Sequence, residues 1–227
     1  MKKKSINKFL IVSIIFLLVI GLNTISFAAE NEDENKGVFT PSIDFNIVNL
    51  KFTTSTFNFL APCLNLEYKV DRYKIYIGYL FGEDNERVGN YDFKVKVNDL
   101  TTRFSYRLLK YNDSQIYFNT NLKSFKLSSS WYNLSDSDTW SGIGAGLTYE
   151  LNKDKYGINL SLNYYPTLDS SNIPDYSLFE INGAFIYNLN PKLQAYLNIL
   201  VNNFNSLDNN NDIKYNRYGL GFKFKIN

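Results

Sequence analysis

The sequence predicts an all-β protein: a closed antiparallel up-and-down transmembrane β-barrel of about ten strands. Three observations carry this. Apolar residues recur at every second position through most of the chain, which is the period of a strand with two chemically different faces. The connections between these runs mostly alternate between short turns and longer polar segments. Beyond residue 28 nothing reads as a transmembrane helix. A chain that spans lipid must then close a barrel, because lipid offers no partner for backbone N–H and C=O groups.

The first segment is set aside before the fold is read. Lys2, Lys3, Lys4 and Lys8 precede an almost wholly apolar run from Phe9 to Leu22, and Ser26 and Ala28 hold the small-residue positions before a cut. This is the pattern of a secretory signal peptide over residues 1–28. The competing reading, an uncleaved anchor, needs roughly 20 apolar residues, more than the run supplies. Glu30 to Lys36 is acidic and Asn-rich, so residues 29–41 read as a flexible leader and 42–227 as one domain.

Removing the four signal lysines from the 24 basic residues leaves them two short of the 22 acids. That near-neutral balance makes no electrostatic case for nucleic acid. Cys63 is the only cysteine, so no intrachain disulfide forms, and a packed, inert thiol is the expectation. The chain has no histidine. Histidine is the usual general base and the commonest metal ligand near neutral pH, so the familiar triads and nitrogen- or sulfur-rich metal sites are excluded, and no cofactor is expected.

The last strand shows the period most clearly. Tyr218, Leu220, Phe222, Phe224 and Ile226 share one face, and Arg217, Gly219, Gly221, Lys223 and Lys225 the other. The same separation recurs in Tyr73 to Phe81, Gly142 to Leu151, Tyr156 to Tyr164, Phe179 to Leu189 and Leu193 to Val201. Two segments slip phase. Ile43, Phe45 and Ile47 give way to Val48, Leu50 and Phe52, and Tyr91 to Val97 gives way to Leu100, Phe104, Tyr106 and Leu108. A β-bulge would produce each slip, and breaking the second segment into two strands is the competing reading.

Ten strands are expected, over roughly 42–52, 57–70, 73–81, 90–108, 115–127, 140–151, 156–165, 177–189, 193–203 and 216–226. Eight and twelve are the alternative counts. Asp71-Arg72, Asn112-Asp113, Asn152 to Lys155 and Asn190-Pro191-Lys192 are short turns rich in turn-forming residues. Longer polar connections are expected over Gly82 to Asn90, Ser128 to Thr139, Pro166 to Tyr176 and Asn203 to Tyr215.

Alternation alone does not say whether the apolar face meets lipid or a protein core, and a secreted soluble β-sandwich is the alternative fold. About five large apolar side chains on each strand would overfill a single barrel of this size. The face rich in Gly, Asn, Ser and Thr suits the inside. Tyr73, Tyr79, Phe81, Tyr156, Tyr164, Phe179 and Tyr187 lie near strand ends on the apolar face, as interfacial girdles do.

Arg217, Gly219, Phe222 and Phe224 fit a pattern of polar residue, glycine and two alternating aromatics. This resembles the C-terminal insertion signal of bacterial outer-membrane β-barrel proteins. The chain departs from it by continuing through Lys225, Ile226 and Asn227. The resemblance covers most of the mature chain in pattern but has no motif diagnostic of a subfamily. It implies outer-membrane lipid and the barrel-assembly machinery as partners, Sec-dependent export, and a periplasmic leader. It also implies that enzymes of this class, which typically employ a histidine, are a poor guide here.

The inferred lumen carries Glu67, Asp92, Glu150 and Glu180 with Lys69, Lys74, Lys94, Lys96, Arg103, Arg107, Lys123, Arg217, Lys223 and Lys225. Charges there need partners or water. They form either an internal network that plugs a narrow barrel or a thin passive channel for small solutes whose positive excess favours anions. Asp136, Asp138, Asp208 and Asp212 fall in expected loops and read as solvated turn residues rather than a catalytic carboxylate pair. The Asn202 to Asp212 run lacks the glycine spacing of a calcium loop. Trp131, Tyr132 and Trp140 near one rim read as interfacial anchors, with surface adhesion as the alternative. Solute, receptor and oligomeric state are not legible.

Overall fold

Ten antiparallel strands close on themselves in the order β1-β10-β9-β8-β7-β6-β5-β4-β3-β2. The computed structural model describes residues 37–52, 55–88, 91–131, 134–170, 175–207 and 212–226, so residues 1–36, which hold the expected signal peptide and most of the expected leader, lie outside it. The strands are β1 (Val38–Lys51), β2 (Thr56–Val70), β3 (Tyr73–Val88), β4 (Tyr91–Tyr111), β5 (Ser114–Trp131), β6 (Leu134–Asn152), β7 (Tyr156–Leu168), β8 (Tyr176–Asn190), β9 (Leu193–Ser206) and β10 (Ile213–Phe224). Closure runs in unbroken register from Ser42↔Lys223 to Lys51↔Lys214. Beyond it, Phe39 and Ile226 exchange backbone hydrogen bonds, so β1 begins inside the stretch expected to be leader.

The four expected tight turns lie at the same end as both termini, called here the near rim. Asp71 and Asn112, each first in a two-residue turn, have φ of 45° and 50°. Asp and Asn accept this left-handed conformation more readily than other non-glycine residues.

At the far rim the structure differs from the sequence expectation. Much of the expected loops Gly82 to Asn90 and Ser128 to Thr139 is strand: β3 continues to Val88, β5 to Trp131, and β6 starts at Leu134. Alternating Lys, Ser and Asp residues look like loop by composition, yet cross-strand pairing such as Lys96↔Ser128 and Ser128↔Ser137 holds them extended. Asn98, Lys126 and Ser141 mark where the outer face turns polar, and from there β3 to β6 rise about seven residues, roughly 20 Å along the strand. This is a four-stranded wall. Its ladder pairing to its neighbours ends lower down, β2–β3 at Cys63↔Leu80 and the continuous β6–β7 pairing at Ala145↔Tyr164 with a bridge at Ser141↔Asp169 above it, and side chains such as Phe93 on Phe57 of β2 carry the contact beyond.

The phase slips are not bulges. Register is continuous through β1 and through β4 from Tyr91 to Arg107, and the irregularities sit instead at Arg107/Leu109, Tyr165/Leu168 and Asn188/Asn190. Val48, Leu50, Val95 and Val97 point inward in the same phase as Asp44, Asn46 and Asp99. The lumen wall changes from polar to apolar, and the strand keeps its pitch.

Outside, a belt of large apolar side chains is exposed: Leu60 at 71%, Ile143 at 64%, and Leu160, Leu197 and Leu220 among many others. Tyr73, Tyr79, Tyr156, Tyr164, Phe179 and Tyr187 edge it. No water-soluble monomer keeps an apolar surface this continuous, so the solvent of this face is lipid.

Leu160→Asp therefore places a charge against acyl chains, a depth-dependent cost smaller than the roughly 2–4 kcal/mol of a lysine or arginine at the midplane but added to the lost leucine contact, and should weaken or abolish the heat-modifiable folded band on gels. Asn159→Ser, on the neighbouring inward position, should retain it. Equal tolerance at the two positions would contradict the assigned faces.

Candidate functional site: the filled lumen

The inward positions of ten strands form three tiers between the near rim and the far rim.

The middle tier is polar and holds two hydrogen-bonded hubs. On one side Lys123 of β5 is fully buried between Asp99 of β4 at 3.2 Å and Glu180 of β8 at 3.0 Å. Arg103 of β4 reaches the same Glu180 at 3.5 Å and donates through Nε to Asn121 Oδ1 at 2.8 Å. Asn163 donates to Glu180 at 3.0 Å, and Asn121 donates to Asn163. Two carboxylates and two cations make a neutral quartet whose acceptors are met by amides, the condition under which buried charge is tolerable.

On the opposite side Asp44 of β1 accepts four hydrogen bonds, from Asn46 at 2.9 Å, Asn65 at 2.6 Å, Tyr196 at 2.8 Å and Asn198 at 2.9 Å. Gly219 of β10 is what admits two of these donors, since a Cβ there would collide with the amides of Asn46 and Asn198. Arg217 lies over the Tyr215 ring at 5.8 Å, and no ion pair involving it occurs among the described residues.

Towards the near rim Lys74 of β3 is paired with Glu150 of β6 and lies 3.7 Å from Glu67 of β2. Asn159 donates to Glu150 at 3.1 Å, and the Lys74 ammonium sits 4.7 Å from the centre of the Tyr117 ring. A cavity of about 90 Å³ separates this triad from the Asp44 hub.

Above the middle tier the lumen is apolar. Every strand contributes, through residues such as Leu50, Phe57, Leu80, Val97, Phe125, Trp140, Leu168, Leu178, Phe204 and Tyr215. Phe125 of β5 stands 5.2 Å from Tyr215 of β10 and 5.1 Å from Phe204 of β9, centre to centre. In a ring of ten, β5 and β10 face each other across the axis, so these rings meet in the middle of the bore. Phe125 and Tyr215 are both 0% exposed. Gly142 and Gly144 of β6 make room for this packing, for a Cβ at either would strike Leu168 or Tyr165.

Of the charges expected inside, Glu67, Lys74, Arg103, Lys123, Glu150, Glu180, Arg217 and Lys223 line the lumen, with Lys69 and Lys225 at its near rim. Arg107 sits at the near rim, 3.4 Å from Asp71. Lys94 and Lys96 are corrections: both lie on the outer face of the wall, bonded to Glu83 at 2.9 and 3.5 Å, because the unbroken register of β4 sends even-numbered positions outward there. Their hydrogen bonds and charge hold the Glu83 carboxyl below its ordinary range. Nothing is described of the Asp92 and Trp131 side chains or of Tyr132.

Trp140 is the second correction. It is 1% exposed in the apolar tier, packed against Phe125 and Tyr176, rather than anchored at the membrane surface. Cys63 is buried and donates to Asn65 at 3.2 Å. Asp136 and Asp138 belong to β6, not a loop. Of the Asn202 to Asp212 run, residues 208–211 lie outside the description, and Asp212 accepts from the Ser206 backbone N–H at 3.3 Å.

Asp44 and Asp99 were not singled out in the sequence. Both sit beside an apparent phase slip, where their inward direction is hidden. The signal available was the Ser42-Asp44-Asn46 alternation on β1.

Lys123→Met should destabilise the assembled barrel by about 3–5 kcal/mol, because Asp99 then stays buried without its ion-pair partner and Glu180 keeps only Arg103 and Asn163. Adding Glu180→Gln should recover part of the loss. Denaturant unfolding in detergent micelles measures both, and an unaffected single variant would refute the quartet.

No family model and no curated protein matches the sequence. Among solved structures the chain is similar to the outer membrane protease OmpT from Escherichia coli, at 9% identity and a TM-score of 0.56 over 85% of this chain and 97% of that one. The translocator domain of the autotransporter NalP from Neisseria meningitidis is 7% identical, with a TM-score of 0.49 over 94% and 98% of the two chains. Neisserial surface protein A is 11% identical, with a TM-score of 0.48 over 84% and 100%. At such identities the likeness concerns architecture alone: the fold is the closed antiparallel barrel of bacterial outer-membrane proteins.

Proposed function

We propose that this protein is a non-conducting, non-enzymatic outer-membrane barrel that anchors the β3–β6 wall at the cell surface. The observation that carries the reading is the meeting of Phe125 and Tyr215 across the bore, in a tier to which all ten strands contribute. An ion entering from the near rim passes the Lys74 triad and the neutral quartet and then meets a closely packed, mostly apolar zone, where an isolated charge is very costly. The passive-channel reading finds no continuous polar path to support it.

The fold is shared with a protease, and fold does not decide activity. The chain has no histidine, and its interior carboxylates Asp44, Asp99, Glu150 and Glu180 are each engaged by lysine, amide or hydroxyl partners. None is left with the free, paired geometry that carboxylate catalysis requires. The wall is the feature that serves an outward role. Its outer face offers Glu83, Lys94, Lys96, Lys126 and a ladder of hydroxyls at Ser124↔Ser141, Lys126↔Thr139, Ser128↔Ser137 and Ser130↔Ser135. Such a surface suits polar contacts at the membrane exterior.

In planar bilayers the purified barrel should be silent, and stepwise conductance from the unmodified chain would overturn the closed-lumen reading. An epitope inserted between Trp131 and Leu134 should be labelled on intact cells, whereas one inserted at Pro191 should be labelled only after permeabilisation. The reverse pattern would invert the orientation.

A further inference from the structure

The near rim holds a second cavity, of about 570 Å³, that the closed lumen turns into a dead-end vestibule. Its walls carry Glu67, Lys69, Glu150, Lys153, Lys223 and Lys225, with amides from Gln115 and Gln194 among others. The two carboxylates are already held by Lys74 in the tier above. Lys153 is committed to Asp113 at 2.5 Å. The remaining three lysines, Lys69 of β2, Lys223 of β10 and Lys225 just past its end, flank β1 and have no ion-pair partner of this kind among the described residues. Lys69 donates to Gln115 at 3.3 Å, Lys223 lies 4.9 Å from the centre of the Tyr196 ring, and the ion pairs of this end include neither of them, nor Lys225.

Glu67 and Glu150 carry two negative charges against the single Lys74, so the three further lysines leave this concavity with a net surplus of two positive charges, whose field its low-dielectric walls concentrate. A site of this volume matches a small organic ligand. Lysine is a compact point charge without the planar fork that selects carboxylates, and it is a common phosphate binder. We infer that the vestibule binds a small, multiply charged phosphate compound from the side of the chain termini, with Lys69, Lys223 and Lys225 neutralising its oxygens and the rim amides, Gln115 and Gln194, taking its hydroxyls. The inference is independent of the wall's role and holds for a barrel that conducts nothing.

One other source of anionic oxygen lies in the same chain: Glu30, Glu32, Asp33 and Glu34 precede β1, whose Val38 lines the vestibule. The experiment therefore uses two forms of the mature barrel in nonionic micelles, with and without residues 29–36, titrated calorimetrically with inorganic pyrophosphate. Saturable one-to-one binding is expected, weakened at least tenfold in a Lys69→Gln/Lys225→Gln variant and unchanged in Lys51→Gln/Lys214→Gln at the opposite rim. Tighter binding to the shortened form identifies the acidic stretch as an internal competitor for the same site, and equal binding assigns the site to external phosphate alone. In denaturant unfolding without ligand, Lys69→Gln/Lys225→Gln should be at least as stable as the parent, because repulsion is relieved. Absence of pyrophosphate binding in both forms, or equal binding by the vestibule and opposite-rim variants, would overturn the inference. So would a loss of ligand-free stability that marks these lysines as structural.

Discussion

Everything in this molecule follows from one constraint: a backbone that crosses lipid must find all its hydrogen-bond partners within the sheet. The β1–β10 pairing meets it by removing both edges at once. Closing a ring of only ten strands fixes a narrow bore. The bore in turn dictates what the inward residues can be, because long side chains from opposite walls touch. Lys123 and Glu180 meet from different arcs of the wall, as do Phe125 and Tyr215. The filled lumen is thus a consequence of strand number, and the chemistry of the filling is the part left to the sequence.

That filling is arranged by depth. The neutral quartet and the Asp44 hub occupy the middle, where the carboxylates are met by cations or hydrogen-bond donors and Arg217 lies over the Tyr215 ring. The apolar tier lies beyond them towards the far rim and the cationic vestibule before them at the near rim. Each zone fits what it faces. Apolar packing seals one side, a bonded network rigidifies the centre, and surplus positive charge is tolerated only where water reaches it.

How much of this was legible depended on whether the two faces of a strand differ. On β10 the contrast between Leu220, Phe222 and Phe224 and Gly219, Gly221 and Lys223 is complete, so strand and faces could be read directly. On β1 and β4 the apolar residues change sides towards the far rim, from outward Phe45, Ile47 and Leu100 to inward Val48, Leu50, Val97 and Val95, so the period-2 pattern inverts although the strand does not break. Val48 and Val97 then looked like phase slips, which misdirected Lys94 and hid Asp44 and Asp99. Trp140 misled for a related reason: its position near a strand end suggests a membrane anchor, and only the extra length of β6 beyond the belt shows that it points inward. Long polar strands also looked like loops, since their pairing partners lie in another segment of equally loop-like composition. Pairwise geometry, such as the four donors on Asp44, has no sequence signature at all.

The wall carries a liability that the barrel below it escapes. Where β3 leaves β2 and β6 leaves β7, continuous ladder pairing ends and strand edges open on both sides. An open edge is a template for another chain, and long, flat, apolar edges drive aggregation. Here the stretch of β3 past the seam includes Glu83 and Asp84, and that of β6 includes Asp136 and Asp138. Carboxylates along an edge repel an incoming strand that bears the same charges, as a second copy of this wall would. The edge the wall leaves open is thus charged and hydroxyl-rich instead of apolar, which is the opposite of an aggregation template.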